Sequence, residues 1–216
     1  MPRQKFEHSC LPPAPDLQYE IQLWSAGFEW IAGIDEAGRG ALAGPVSAGV
    51  VILPKEFIIP QSLVGVHDSK KLTPNQRIKF SLIIREHAAD YAIGFASNGE
   101  IDMLGIISAT HLAISRALQS LRLEPNHLLL DYINLKELPL EQTSLVKGDC
   151  RVLSIACASI LAKVYRDDLM VQYSSEYPDY GFEAHKGYGT EAHRRALVQF
   201  GPCPIHRRSF SVKLPA

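Results

Sequence analysis

The apolar run Phe28-Glu29-Trp30-Ile31-Ala32 predicts the start of a buried strand, and residues 46–53 predict a second, hairpin-paired to the first across the Gly44-Pro45 break. Residues 91–96, 126–131 and 144–146 read as further short strands. Elsewhere the apolar period lengthens to that of a helix. Leu17, Ile21 and Trp24 mark one over 17–28, and Thr73 with Pro74 starts another that runs to about His87. Ile107, His111, Ile114 and Leu118 line one side of an amphipathic helix over 106–121. Residues 152–173 form a long Ala-rich helix, and Thr190 caps a last one to Phe200. There are no internal repeats. Strands dominate early and helices late, with alternation between, so the class is an α/β layered sheet with a helical C-terminal extension.

Polar residues interrupt this pattern where a core strand should stay apolar. Gly33-Ile34-Asp35-Glu36-Ala37-Gly38-Arg39-Gly40 sets two adjacent carboxylates at the end of the first strand, followed by two glycines flanking an arginine. Neighbours on a regular strand point to opposite faces, so one shared site requires the strand to end or bend there. A buried acid needs a partner or a metal, and exposed amides with a guanidinium suit a phosphate-bearing substrate. The bland alternative is a solvated turn. The block is not a P-loop, because GxxxxGK[ST] is absent. Leu128-Leu129-Leu130-Asp131 repeats the arrangement, an apolar strand ending in an acid, although a cap or turn is as good a reading of that stretch alone. On the long helix Asp167 shares a face with Ala156, Ile160, Lys163 and Val171, so it is aimed inward, with a salt bridge to Lys163 as the structural alternative. Four converging carboxylates repel one another without a cation. With one they make a hard-oxygen site for Mg2+ or Mn2+, able to activate water against a phosphodiester.

Composition narrows the classes. A chain of 216 residues holds one large domain with a real core, or one domain plus a small appendage, and no apolar run approaches a membrane span or a signal peptide. The Pro-rich start, 1–16, reads as a flexible tail ahead of a catalytic domain over 17–216. Cys10, Cys150, Cys157 and Cys203 lack a CxxC pair, which predicts free thiols in a reducing cytoplasm. Cys203 and His206 are spaced like half a zinc site, without a second pair to complete it. Net charge is near zero, at 22 basic against 23 acidic residues, yet from Gly181 onward Lys186, Arg194, Arg195, Arg207, Arg208 and Lys213 outnumber Glu183 and Glu191. A basic C-terminal segment from about residue 174 on a neutral protein is the footprint of a polyanion, or else a solvated basic surface.

Further motifs complete the pattern: Asp68-Ser69-Lys70-Lys71-Leu72-Thr73, Lys147-Gly148-Asp149, the run from Ala158 to Asp167, His185-Lys186-Gly187-Tyr188-Gly189-Thr190, and the Gly201 to Phe210 segment. In this order, with the Gly33–Gly40 block, they resemble the type 2 ribonucleases H of bacteria over nearly all of residues 30–210. The resemblance implies a ribonuclease H-like mixed sheet flanked by helices. It also implies an endoribonuclease that degrades the RNA strand of RNA–DNA hybrids and incises DNA duplex 5′ of embedded ribonucleotides, leaving 3′-hydroxyl and 5′-phosphate ends. By the same resemblance Asp35, Glu36, Asp131 and Asp167 are the catalytic acids and hold Mg2+ or Mn2+. Gly38, Arg39 and Gly40 contact the backbone and 2′-hydroxyl at the RNA–DNA junction, and Tyr188 packs on the neighbouring deoxyribose. Ser69, Lys71 and Lys147 lie near phosphates. A cytoplasmic monomer is expected, with the nucleic-acid duplex as partner and no membrane. The chain departs from the family pattern at Tyr132, where glycine commonly follows the third acid, and also at Tyr165 and Cys157. A pure nucleic-acid binding module and a metal-dependent phosphatase or nuclease of other substrates are the rival classes. Carboxylates facing phosphate argue against the first.

Overall fold

The computed structural model of the chain describes residues 11–55, 57–66 and 69–212. Most of the expected Pro-rich tail, with Cys10, and also Asp68 and Lys213, lie outside the described residues. In chain order the elements are α1 (Gln18–Ser25), β1 (Ile31–Ala37), β2 (Val46–Ile52), α2 (Pro74–His87), β3 (Asp90–Ala96), α3 (Asn98–Leu104), α4 (Ile106–Gln119), β4 (His127–Asp131), β5 (Glu141–Leu145), α5 (Leu153–Glu176), α6 (Phe182–His185) and α7 (Glu191–Phe200). Single 3-10 turns include Ser69–Lys71 and Gly148–Cys150. The strands make one mixed sheet in the order β3-β2-β1-β4-β5.

By their internal contacts the residues fall into two compact units. The first takes the chain up to Asp35, then Gly49–Ala92 and Leu121–Ile160; the second takes Glu36–Ala48, Ile93–Ser120 and the chain from Leu161 on.

In the first unit β4 lies parallel to β1, with Ile31 opposite His127 and Ile34 opposite Leu130. β5 continues the sheet in parallel from Glu141 opposite His127 to Asp131 opposite Leu145. Leu128, Leu129 and Leu130 are buried, as a strand covered on both faces requires. β5 is longer than the expected 144–146 and begins earlier. Its sequence, Glu-Gln-Thr-Ser-Leu, has no apolar alternation, because an edge strand is held by its ladder and exposes much of both faces. α2 starts as its sequence predicts. The Thr73 hydroxyl accepts from Gln76 N–H and the Gln76 side chain returns to Thr73 N–H, a complete capping box. Asp16, the last residue of the expected tail, donates its N–H to Arg151 O and accepts from Leu153 N–H.

In the second unit, α3 was not anticipated. Its signal is the box Ser97-Asn98-Gly99-Glu100, in which Ser97 and Glu100 cap each other. α4 turns inward a face shifted from the expected one. Ala109, Thr110, Ala113, Ile114 and Ala117 are buried; of the expected row Ile114 is among them, His111 and Leu118 are half-buried, and Ile107 is exposed. Close approach decides this: a Cβ on Gly94 of β3 would lie 2.0 Å from Ala113 O. Only small residues fit there, which turns Ala109, Ala113 and Ala117 inward beside Ile114 and leaves Ile107 outside. The C-terminal extension has its own core of Ala43, Met170, Tyr180, Phe182, Ala196, Cys203 and Ile205. Among the described residues no helix is long and apolar enough to cross a membrane.

Candidate active site

The first cluster follows from strand register. Because Ile34 faces Leu130 across parallel β1 and β4, the next residues, Asp35 within β1 and Asp131 at the end of β4, follow the last paired position side by side. β5 then ends at Leu145, opposite Asp131, and the chain turns back through Lys147 and the Gly148–Cys150 turn ahead of α5. Gly148 N–H donates to Asp131 Oδ1 at 2.8 Å. That turn delivers a third acid, Asp149. Carboxylate oxygens of Asp35, Asp131 and Asp149 all lie within 4.8 Å of one another. Asp35 and Asp149 are buried, at 6% exposure each, and Asp131 is half-buried. Three acids this close, two of them out of water, repel strongly unless a cation or proton intervenes. An all-carboxylate oxygen donor set suits Mg2+ or Mn2+ rather than a soft metal.

Asp149 escaped the sequence reading, although its motif, Lys147-Gly148-Asp149, did not. Its only local signal is an acid in a tight turn just before an apolar helix, where caps and solvated loops are far commoner. Asp167 is engaged otherwise. Lys163, one turn earlier on α5, donates to Asp167 Oδ1 at 2.7 Å, which is the salt-bridge alternative. Of the two expectations for β1 at Asp35–Glu36, an end or a bend, the end is corrected: the strand runs on to Ala37, while its pairing with β4 extends to Ile34, and the Glu36 carboxylate pairs with Arg39 at 3.0 Å.

In the second unit the Gly38-Arg39-Gly40 loop is held from behind by two buried arginines. Arg166 of α5 donates through Nε to Pro45 O, through Nη2 to Ala43 O and through Nη1 to Lys186 O, at 2.8–3.0 Å. Arg207 donates to the carbonyls of Gly44, Arg39 and Pro45, at 2.9–3.0 Å. Five of these six donors meet carbonyls of residues 39–45 and the sixth meets Lys186 O, so backbone groups outside any regular ladder are satisfied. Burial lowers both guanidinium pKa values, that of Arg207 to about 9. Gly38 is required twice over. Its φ is 91°, and a Cβ there would lie 2.0 Å from Arg166 Nε. Arg207 belongs to the basic C-terminal segment, yet only 2% of it is exposed, and Arg195 is paired with Glu191. The formal charge of that segment therefore overstates what it presents to solvent.

The loop carrying Tyr188 is bound to the same structure, since Leu42 N–H and Ala43 N–H both donate to Gly187 O. Lys163 Nζ and the Arg166 guanidinium sit 5.1 and 5.3 Å from the Tyr188 ring centroid. Beneath it runs a histidine relay. His193 Nδ1 is 3.0 Å from Tyr188 O, His193 Nε2 is 2.9 Å from His206 Nε2, and His206 Nδ1 meets Cys203 N and Sγ at 2.9 and 3.1 Å. One tautomer set satisfies every member. His193 carries its proton on Nδ1, His206 carries its own on Nε2, and His206 Nδ1 accepts from the Cys203 amide and thiol. Burial, the largest cause, pushes His193 down to about 4, and it also lowers His206. The Cys203/His206 pair considered as half a zinc site is thus a hydrogen-bonded pair.

The remaining sequence candidates divide. Lys71 and Lys147 are exposed, and Lys147 has a φ of 56°. Ser69 is buried, with its hydroxyl 3.0 Å from that of Ser159 on α5. Arg39 is exposed, and Tyr188 is half-buried.

Known proteins place this arrangement. The profile of the family "Ribonuclease HII" matches residues 32–213. Ribonuclease HII of Syntrophotalea carbinolica is 51% identical over 194 residues, covering 90% of this chain and 91% of its own. That of Caldanaerobacter subterraneus is 46% identical, covering 91% and 80%. Among solved structures, ribonuclease H2 of Pyrococcus horikoshii superposes with a TM-score of 0.69 at 29% identity, over 84% of this chain and 93% of that one. Ribonuclease HII of Archaeoglobus fulgidus, solved with PCNA, gives 0.72 at 24% identity over 87% and 98%, a likeness of fold alone. The chain belongs to the ribonuclease HII family, whose activity depends on divalent metal, and is a ribonuclease H that hydrolyses phosphodiester bonds.

Proposed function

We propose that the chain degrades the RNA strand of RNA–DNA hybrids and incises duplex DNA 5′ of embedded ribonucleotides, leaving 3′-hydroxyl and 5′-phosphate ends. The observation that carries this reading is the convergence of the Asp35, Asp131 and Asp149 carboxylates within 4.8 Å. These three, with Glu36 as the next residue on β1, would hold Mg2+ or Mn2+. Such an ion supplies an activated water and charge stabilisation at the phosphodiester. Asp167, expected in the same set, is assigned to fixing Lys163, and Lys163 in turn to the Tyr188 ring.

The selectivity comes from the second unit. RNA differs from DNA at one sugar by its 2′-hydroxyl, and a fixed loop of amides can test that group without reading bases. Gly38, Arg39 and Gly40 take this role, and the carbonyl clamp of Arg166 and Arg207 supports it by removing the loop's freedom. Tyr188 packs on the neighbouring deoxyribose, while Lys71 and Lys147 take phosphates. Ser69 acts only indirectly, through Ser159.

The test is cleavage of three duplexes in magnesium: all-DNA, DNA with one ribonucleotide, and a full hybrid. The expected result is 5′ incision at the ribonucleotide, cutting of the hybrid, none of all-DNA, and loss of both activities in Asp35→Asn. Equal cutting of all-DNA would overturn the 2′-hydroxyl reading.

A further inference from the structure

Tyr132, immediately after Asp131, has a φ of 58°, a region that L side chains enter at a cost and glycine enters freely. The turn is specific. Ile133 N–H donates back to Asp131 O at 2.8 Å, and Tyr132 N–H donates to Leu145 O at 2.9 Å. A three-residue ring closed around a positive φ is the strained form of the γ-turn. The side chain does not recover that cost by burial, since Tyr132 is 65% exposed. Other exposed apolar residues, such as Met103 and Ile107, sit in regular helices at no conformational expense and need no explanation. Tyr132 combines strain, an exposed ring and direct attachment to an acid of the cluster, and strain of this kind gathers at working sites.

Its surroundings indicate what the ring meets. Lys147 follows β5, whose Leu145 O takes the Tyr132 N–H, and Gly148 N–H grips Asp131. Lys147 is also exposed and at positive φ, 56°. A flat ring and an ammonium group at the rim of a carboxylate cluster have the chemistry to hold one nucleotide, the ring on its base or sugar and the ammonium on its phosphate. We infer that Tyr132 is a substrate-binding residue, a stacking platform for a nucleotide beside the scissile phosphate. This rests on the reading of the chain as a nuclease of ribonucleotide-containing duplexes.

The experiment compares wild type, Tyr132→Gly and Tyr132→Phe in KM and kcat on the single-ribonucleotide duplex with magnesium, and in Tm. Tyr132→Gly is expected to raise KM by about tenfold, the loss of one base stack, with kcat much less affected and Tm not lowered. Tyr132→Phe keeps the ring and should keep KM. A KM in Tyr132→Gly within about twofold of wild type overturns the inference, well below a stack's worth. So does a lowered Tm with unchanged KM, which would assign the ring to the fold or to a protein partner. A wild type that cuts and binds no such duplex removes the function reading and this inference together; one that cuts normally while Tyr132→Gly is indifferent removes only the inference.

Discussion

The Asp35–Asp131–Asp149 cluster and the Arg166–Arg207 clamp are both buried charge, balanced in opposite ways. The fold answers the arginines itself, with six bonds to carbonyls of residues 39–45 and 186. The acids are drawn to within 4.8 Å of each other, a geometry that raises their mutual repulsion. Charge that is fully satisfied within the chain is part of the scaffold. Charge concentrated against itself is prepared for something that arrives later. By this contrast the second unit's loop is held by its own arginines, and the first unit's cluster is an acidic triad that could bind a metal.

The largest effect that could break the comparison lies in the acids. Asp149→Asn should lower kcat by roughly a thousandfold in magnesium, as expected for a ligand of the ion that activates water. Asp167→Asn should cost less than about tenfold, as an outlying positioning residue does. Equal losses in the two variants would place Asp167 in the metal set after all. A smaller effect, on stability, tests the clamp. Arg166→Met takes the arginine donor from the Ala43 and Lys186 carbonyls, while Pro45 O keeps Arg207, and should lower the unfolding free energy in urea by about 3 kcal/mol. An unchanged midpoint would mean that the loop does not need its clamp.

The smallest effect is a pH dependence with opposed contributions. Burial holds His193 at about 4, below its ordinary 6.5, so between those values the unfolded chain binds more protons and acidification destabilises. Glu20 is raised from 4.5 to about 6, chiefly by burial, so its penalty is present above 6 and is relieved as pH falls to 4.5. The two leave a net loss of roughly 1 kcal/mol from pH 6.5 to 4, growing to about 3 in Glu20→Gln. Urea melts across that range check both values, and a flat profile in Glu20→Gln would sink the histidine relay.

Much of this was legible in the chain. Asp35 and Asp131 announce themselves because an acid at the end of an apolar strand violates the strand's own pattern, and the parallel pairing then brings them together. The Thr73 cap with Pro74 and the Ala-rich run of α5 are equally local. What was hidden depends on partners distant in sequence. Asp149 resembles any turn acid until β4 and β5 set its neighbours. Arg166 precedes the apparently more meaningful Asp167 by a single position, and nothing in a helical period tells a buried guanidinium from a solvated one. The inward face of α4 keeps Ile114 of the expected row but turns toward Ala109, Ala113 and Ala117, because packing against Gly94 rewards small residues over large ones.

The space left by the missing side chain at Gly38 is filled by the Arg166 guanidinium, and this makes their dependence one-directional. A shorter residue at 166 leaves a glycine at 38 fully tolerable, whereas no residue but glycine at 38 leaves room for the arginine. Trimming Arg166 would not license alanine at 38 either, because the left-handed φ of 91° remains. The order of permissible change therefore runs one way: a lineage could lose the guanidinium first and keep the glycine, but never the reverse.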